Sequence, residues 1–421
     1  MTSSPAIAVD EATLRRATLP NGLSIVAELH PAMKSTAIGF YVRAGSRDES
    51  DALWGVSHFL EHMAFKGRGE LDGDELNRRF DDIGAHYNAS TSEEVTTYYA
   101  AVLPEYLPEA MKLLATLLRP DLRPDDFETE KQVIIEEIGM YDDAPGFLAY
   151  ENLMATHFAA HPLGRSILGT PESIRDLSRD AMAAYHGDRY GASAVTLAVT
   201  GQADWDAIQD LAARHCGDWQ PGRADRDVPP PQPVRRANTM HRPEMLIQTI
   251  AQGADAPSAQ SRERLAAELL SLVVGDDSGS RMYWDLVDTG FAETAELSFN
   301  EYDGAGLWMT YLSCLPERAA ELADRVAGLY DAVNRDGILQ DELDRARNKL
   351  SSRMVLQAER PMGRLGAVGA GWVYRGQLQS LDDELAELTA ITPDDIAAML
   401  ARYPLGQMST AMVGPLEALD H

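Results

Sequence analysis

The amino-acid sequence predicts an α/β protein built from two similar halves, and three observations lead there. A chain of 421 residues exceeds what one hydrophobic core usually serves, which points to two domains of roughly 200 residues each. The segment from Gln220 to Pro243 holds Pro229, Pro230, Pro231 and Pro233 amid scattered charges, which suits a semi-rigid connector better than a helix or a central strand. The order of strand and helix patterns before this segment recurs after it. The expected division is residues 1–219, a connector over 220–243, and a second domain over 244–421.

In the first half, the turn signal Pro20-Asn21-Gly22 ahead of Leu23 to Ala27 predicts a hairpin, and Thr36 to Val42 a further strand. A helix is expected from Trp54 to Lys66, stopping at Gly67, then a shorter one near Asp74 to Ile83. Alternating and β-branched residues from His86 to Val102 predict a strand pair. Long helices at about Glu105 to Leu118 and Pro124 to Tyr141 follow, then a strand from Ala194 to Val199 and a helix through Asp206 to Cys216. Past the connector come a strand at Leu246 to Ile250, helices, a strand pair from Ala292 to Ser313, two long helices and a closing strand from Met408 to Val413. Leu103-Pro104-Glu105 and Leu315-Pro316-Glu317 each join a strand pair to a long helix in the same relative place. Together with the parallel order of elements, this predicts an internal duplication.

Composition narrows the functional classes. Hydrophobic residues at 45% and charged residues at 24% are those of a globular protein, and no run approaches the roughly 18 apolar residues of a membrane span. Met1 to Pro5 lack the basic start and apolar core of a secretory signal, and Cys216 and Cys314 lie far apart, so a reduced, cytoplasmic protein is expected. With 66 acidic against 37 basic residues the formal charge is −29, which opposes nucleic-acid binding. The same charge serves solubility alone or the steering of basic peptides.

Chemistry concentrates in His58-Phe59-Leu60-Glu61-His62. Histidines four apart share one helix face and can present two imidazole nitrogens to one metal ion, with Glu61 beside them. Val56, Phe59, Leu60 and Met63 occupy the remaining sides, so the helix is expected to be buried, where unpaired polar groups cost several kcal/mol. The five residues alone also fit an ordinary histidine pair with a nearby acid. A second helix counts against that reading. Phe127, Glu130, Ile134, Glu137, Ile138 and Tyr141 follow 3/4 spacing, which sets two acids within an apolar stripe. Such acids generally face a cation, although each alone could sit as a solvated charge at the stripe's border.

At these residues the chain resembles the inverted zincins of the pitrilysin type, the family of insulin-degrading enzyme and mitochondrial processing peptidase. The inverted H-x-x-E-H order is carried by His58, Glu61 and His62, and the downstream acid by Glu130 to Ile138. Flanking matches are Gly55, Ser57, Met63 to Gly67, Gly84 and Asn88-Ala89-Ser90-Thr91. The resemblance covers most of residues 12 to 218 and the gross plan of the second half. It implies two homologous α/β (α+β) domains, each a largely antiparallel sheet of about six strands backed by helices, closing around a peptide-holding chamber. It further implies one Zn2+ per chain on His58, His62 and Glu137, with Glu130 supporting the site from behind. Glu136 points about 100° away around the helix and is the weaker ligand. The metal would acidify a water, and Glu61 would take its proton and pass it to the leaving amine. Asn88, Ala89 and Ser90 match the family's substrate edge, where an extended peptide adds as a strand. Without the resemblance they read as an ordinary edge strand.

The second half departs from the family. Complete active sites there use an Arg and a Tyr seven residues apart, and the matching positions in Leu286 to Glu293 are Leu286 and Glu293 themselves. Arg281 and Tyr283 have the wrong spacing and read as structural. A leucine cannot hold a peptide carbonyl, and a glutamate opposes a developing oxyanion. The expectation is a heterodimer in which a homologous partner supplies the Arg/Tyr pair to a zinc metalloendopeptidase acting on oligopeptides. The alternatives are a non-catalytic peptide-binding or assembly subunit with structural zinc, and a processing protease dedicated to one peptide precursor.

Overall fold

The chain is described by a computed structural model over residues 12–419. Met1 to Pro5, which bear on the secretory-signal reading, lie outside the described residues.

The first half begins with strands β1 (Thr13–Thr18), β2 (Ser24–Leu29) and β3 (Thr36–Val42), followed by helix α1 (Val56–Ala64). A short ribbon, β4 (Gly67–Arg68) with β5 (Leu71–Asp72), leads into α2 (Gly73–Asp82) and the hairpin β6 (His86–Thr91) and β7 (Thr96–Val102). Then come α3 (Leu107–Leu117), α4 (Pro124–Tyr141), α5 (Pro145–Phe158), α6 (Pro171–Asp176), α7 (Arg179–Arg189), β8 (Val195–Gly201) and α8 (Trp205–Cys216). The second half runs β9 (Ala237–His241), β10 (Gln248–Asp255), α9 (Arg264–Gly275), β11 (Thr294–Tyr302), β12 (Ala305–Cys314), α10 (Ala319–Asp336) and α11 (Gln340–Ala358). It closes with α12 (Pro361–Arg375), α13 (Leu381–Ala390), α14 (Pro393–Arg402) and β13 (Ser409–Gly414).

The first sheet has six strands in the order β1-β2-β8-β3-β7-β6, and the second has five in the order β11-β12-β10-β13-β9. Read from opposite ends they superimpose as sequences of neighbours. A terminal hairpin (β6-β7 or β11-β12) flanks the strand that opens each core (β3 or β10), then the closing strand (β8 or β13). Each sheet is antiparallel except for one parallel pair in the same place, β2 with β8 and β9 with β13. The duplication therefore extends to strand direction. Both Leu-Pro-Glu tripeptides open a short 3-10 turn ahead of a long helix, as Pro at the first helical position favours.

Among the described residues the second sheet has no counterpart of β1. Prolines occupy the chain ahead of β9, and proline cannot donate to a ladder. The segment expected to be a connector does carry one strand, β9, after the prolines end; it lies at the sheet edge.

The halves exchange helices. α5 leaves the first half to cover the second sheet, where Leu148, Ala149 and Leu153 pack on Ala251, Ala411 and Val413. α12 returns the exchange: Leu365 and Val368 pack on Val26, Ala37, Tyr41 and Ala198 of the first sheet. A glycine permits the approach, since a Cβ on Gly369 would lie 2.2 Å from the Tyr41 ring. Arg364 of α12 meets Glu28 of β2 at 2.6 Å, both buried. A second buried network joins Arg47 to Glu94 at 2.5 Å and Arg226 to Asp48 at 2.6 Å, and Asp303 of the β11–β12 turn donates its backbone N–H to Glu94. Arg226 belongs to the proline-rich segment, so that segment is pinned between the halves. Among the described residues no helix is long and apolar enough to cross a membrane.

Candidate metal centre

α1 follows β3 and runs behind the first sheet, with Val56, Phe59, Leu60 and Met63 in the main core. Its start is a constrained junction. Gly55 adopts a left-handed conformation, φ 90°, and a Cβ there would lie 2.8 Å from the Leu168 carbonyl oxygen. The buried Glu49 carboxylate accepts from the backbone N–H groups of Gly55 and Ser57, both at 2.7 Å, and so caps the helix from the loop just upstream. Burial pushes the Glu49 carboxyl up to about 8, against the lowering effect of those two bonds. Ser57 is tied in turn to Tyr185 of α7, hydroxyl to hydroxyl at 2.7 Å.

α4 lies against α1 through stacked Phe59 and Phe127, ring centroids 4.7 Å apart. Burying each such ring contributes roughly 1.5–3 kcal/mol. Lys131, buried on the same helix, donates to the Arg175 and Leu177 carbonyls at 3.1 and 2.9 Å, which fixes the rotation of α4. That rotation turns Glu130 and Glu137 towards α1 and leaves Glu136 exposed.

His58, His62 and Glu137 converge: one ligand atom from each lies within 4.8 Å of the others, the single such group of three among the described residues. Glu137 Oε2 is 3.4 Å from His62 Nε2 and 3.9 Å from His58 Nε2. Bonds of about 2.0–2.1 Å in a tetrahedron separate ligand atoms by about 3.3 Å, so these three donors fit a zinc ion with small adjustments. Glu130 Oε2 accepts from His62 Nδ1 at 3.1 Å, while its other oxygen meets Lys66 Nζ at 2.6 Å. Because a carboxylate only accepts, the hydrogen sits on Nδ1 and the neutral ring keeps its Nε2 lone pair for a metal.

The electrostatics suit a cation. Burial and then the neighbouring His62 push His58 down to about 4, so it is neutral at pH 7. Burial also disfavours the charged form of His62, but the Glu137 and Glu130 carboxylates outweigh it and hold that ring above its ordinary value. The bond from His62 holds Glu137 below the usual carboxylate range. A cation on His62 Nε2 would compete with the proton that these carboxylates favour. Glu61 is the fourth group. Burial raises its pKa against the pull of the Thr91 hydroxyl, which donates to Glu61 Oε2 at 2.6 Å.

β6, carrying Asn88, Ala89 and Ser90, is the edge of the first sheet and among the described residues pairs only with β7. The Ala89 N–H is held by the Asn88 side-chain oxygen at 2.8 Å. Of the residues in the second half, Leu286 is fully buried in its core and Glu293 is exposed. Arg281 forms a two-pronged ion pair with Glu342, at 2.8 and 2.7 Å.

Three positioning groups carry no signal of their role in the sequence. Thr91 and Lys66 stand in the flanking matches without an assigned part, and Glu49 has no periodic signal at all. Its loop, Ser46 to Glu49, has the composition of a surface turn although Ser46, Arg47 and Glu49 are buried.

Residues 24–171 match the family model described as insulinase (peptidase family M16), and residues 176–350 match the peptidase M16 inactive domain. A Mycobacterium tuberculosis protein described as an uncharacterized zinc protease is 30% identical over 98% of this chain and 95% of its own length. Two solved structures share the fold. One is a protease from Helicobacter pylori, with TM-score 0.89 and 21% identity over 96% of this chain and 100% of that one. The other is a peptidase M16 inactive domain from Pseudomonas fluorescens, with TM-score 0.90 and 19% identity over 96% of this chain and 98% of that one.

Proposed function

The chain belongs to the insulinase family of peptidases, family M16, and from that premise we propose that it is the zinc-bearing subunit of a metalloendopeptidase for oligopeptides. One observation carries the reading: His58, His62 and Glu137 offer three ligand atoms within 4.8 Å, in a donor set of two imidazoles and one carboxylate that leaves a tetrahedral position open. One zinc per chain would be held there, and when bound it supplies an acidified water and a Lewis acid for the scissile carbonyl.

The chain's own residues do the rest. Glu61, kept in orientation by Thr91, takes a proton from the attacking water and returns it to the leaving amine; its raised pKa suits both transfers. Glu130 holds His62 in the ligating tautomer, and Lys66 balances the charge of Glu130. The peptide lies along β6 as an added strand, bonded through its backbone to Asn88, Ala89 and Ser90.

Groups that bind the substrate carbonyl come from a homologous partner subunit, which supplies an Arg/Tyr pair. The burial of Leu286 and the exposure and charge of Glu293 support this part of the reading. The test is peptide cleavage by the protein co-purified from its source with any accompanying subunit, with and without chelator, beside Glu61→Gln. Glu61→Gln should retain zinc and lose about 10²–10⁴-fold in kcat. Unchanged cleavage would assign the zinc a structural role, and full activity of the single chain would remove the partner.

A further inference from the structure

The first sheet is covered unevenly on the face opposite α1. α12 packs across β8, β3 and β2, and the side chains of β7 record where that cover stops. Thr96, Tyr98, Ala100 and Val102 are buried on the α1 side, whereas Thr97, Tyr99 and Ala101 on the α12 side are half-buried. Between these outer strands and the flank of α12 lies a crevice of about 380 Å³, walled by Tyr41, Tyr99, Leu365 and Val373 with Gly366 and Ala370 on the helix side. Among the described residues no charged side chain lines it. Gly366 keeps it open, since a Cβ there would meet nothing within 4 Å.

The level of this crevice along β6 is set by three consecutive residues. Thr91 faces α1 and donates to Glu61 at 2.6 Å, while its neighbours Ser90 and Ser92 line the crevice on the other face. The crevice and the Glu61 carboxylate therefore stand at the same height on opposite faces of one strand.

We propose that this crevice receives a large apolar side chain of the peptide substrate, from one of the two residues flanking the cleaved bond, and so sets cleavage preference. The inference rests on the reading of β6 as the substrate edge. A strand added to β6 directs successive side chains to opposite faces, so of those two residues one projects towards the metal centre and the other towards the crevice. Aromatic and aliphatic walls with two serine hydroxyls at the strand side favour Phe, Leu or Tyr and exclude carboxylates, which would be desolvated without a partner.

The test uses the zinc-loaded protein with any subunit that accompanies it, and oligopeptides identical except for Phe, Leu, Ala or Asp at each flanking position. Mass spectrometry locates the cuts, and kcat/KM is measured for each peptide. At one flanking position Phe and Leu should exceed Ala by at least about 10-fold. Gly366→Leu, which fills the crevice, should lower the Phe-to-Ala ratio of kcat/KM by at least about 10-fold. Gly366→Ala, a better helix former with free space for its Cβ, should lower that ratio less, and it decides the matter if the leucine variant does not fold. Cleavage without apolar preference, or a ratio unchanged in a folded variant, overturns the crevice and leaves the peptidase reading standing. No chelator-sensitive cleavage by the unaltered protein overturns both.

Discussion

Helices α1 and α4 of the first half have counterparts in α9 and α11 of the second, following matching strands and likewise in contact with one another, yet the two pairs enclose opposite chemistry. Between α1 and α4 lie His58, His62, Glu130 and Glu137. In the second half the corresponding space is filled by hydrocarbon: Ala266, Leu269, Leu270, Val273 and Val274 of α9 with Leu343 and Ala346 of α11. Asp276, which follows α9, is satisfied by Lys349 and Arg353, each at 2.8 Å. The duplicated fold supplies a place where two helices meet. Only side chains that cannot be satisfied by hydrocarbon or by each other turn that place into a metal centre.

This contrast can be broken in three ways. The largest effect is expected at Leu286, the position that the proposed reading matches to a partner's arginine. If the position is core, Leu286→Ala loses about 2–5 kcal/mol of stability in urea denaturation and leaves zinc content unchanged. A loss of activity with stability intact would instead place residue 286 on the substrate. Next is Glu130. With Glu130→Gln the His62 ring loses its anionic partner, and zinc affinity measured by chelator competition should fall about 10–100-fold; an unchanged affinity would make Glu130 a structural acid only.

The smallest effect separates the halves by acid sensitivity. Burial pushes His186 of α7 down to about 4, while its Nε2 donates to the Leu118 carbonyl at 2.9 Å. Its folded pKa thus lies below the ordinary 6.5, so the unfolded chain binds the proton more readily. The stability this provides is present above pH 6.5 and is lost as pH falls towards 4. The second half has one histidine among its described residues, His241, and it is exposed. Urea midpoints between pH 7 and 4 should decline less steeply in His186→Gln than in the unaltered protein, and hydrogen exchange should rise first in the first half. Equal acid sensitivity of both halves would defeat the comparison.

Much of this molecule is legible in its sequence. The hairpin at Asn21-Gly22, the strands at Thr36 and His86 and the helix from Pro124 to Tyr141 stand where turn chemistry and periodicity predict them. The helix from Pro145 to Phe158 is different: its apolar residues run nearly all round, and nothing local tells that they bury against the other half's sheet. Glu49 is the sharper case. Its nearest functional neighbour is Ser57, and only the chain's return through a tight loop brings its carboxylate onto the start of α1.

By itself the sequence determined what depends on local geometry: which residues share a helix face, where turns interrupt, that the two halves repeat, and that His58, Glu61 and His62 form one constellation. Helical spacing is a property of the backbone, so it needs no tertiary information. The tertiary structure decided what depends on distance through space. It rotated α4 by anchoring Lys131, brought Glu137 within 3.4 Å of His62, exchanged α5 and α12 between the halves, and left a crevice on the far face of β6. Those outcomes follow from how bulky side chains fill shared volume, which no single segment encodes.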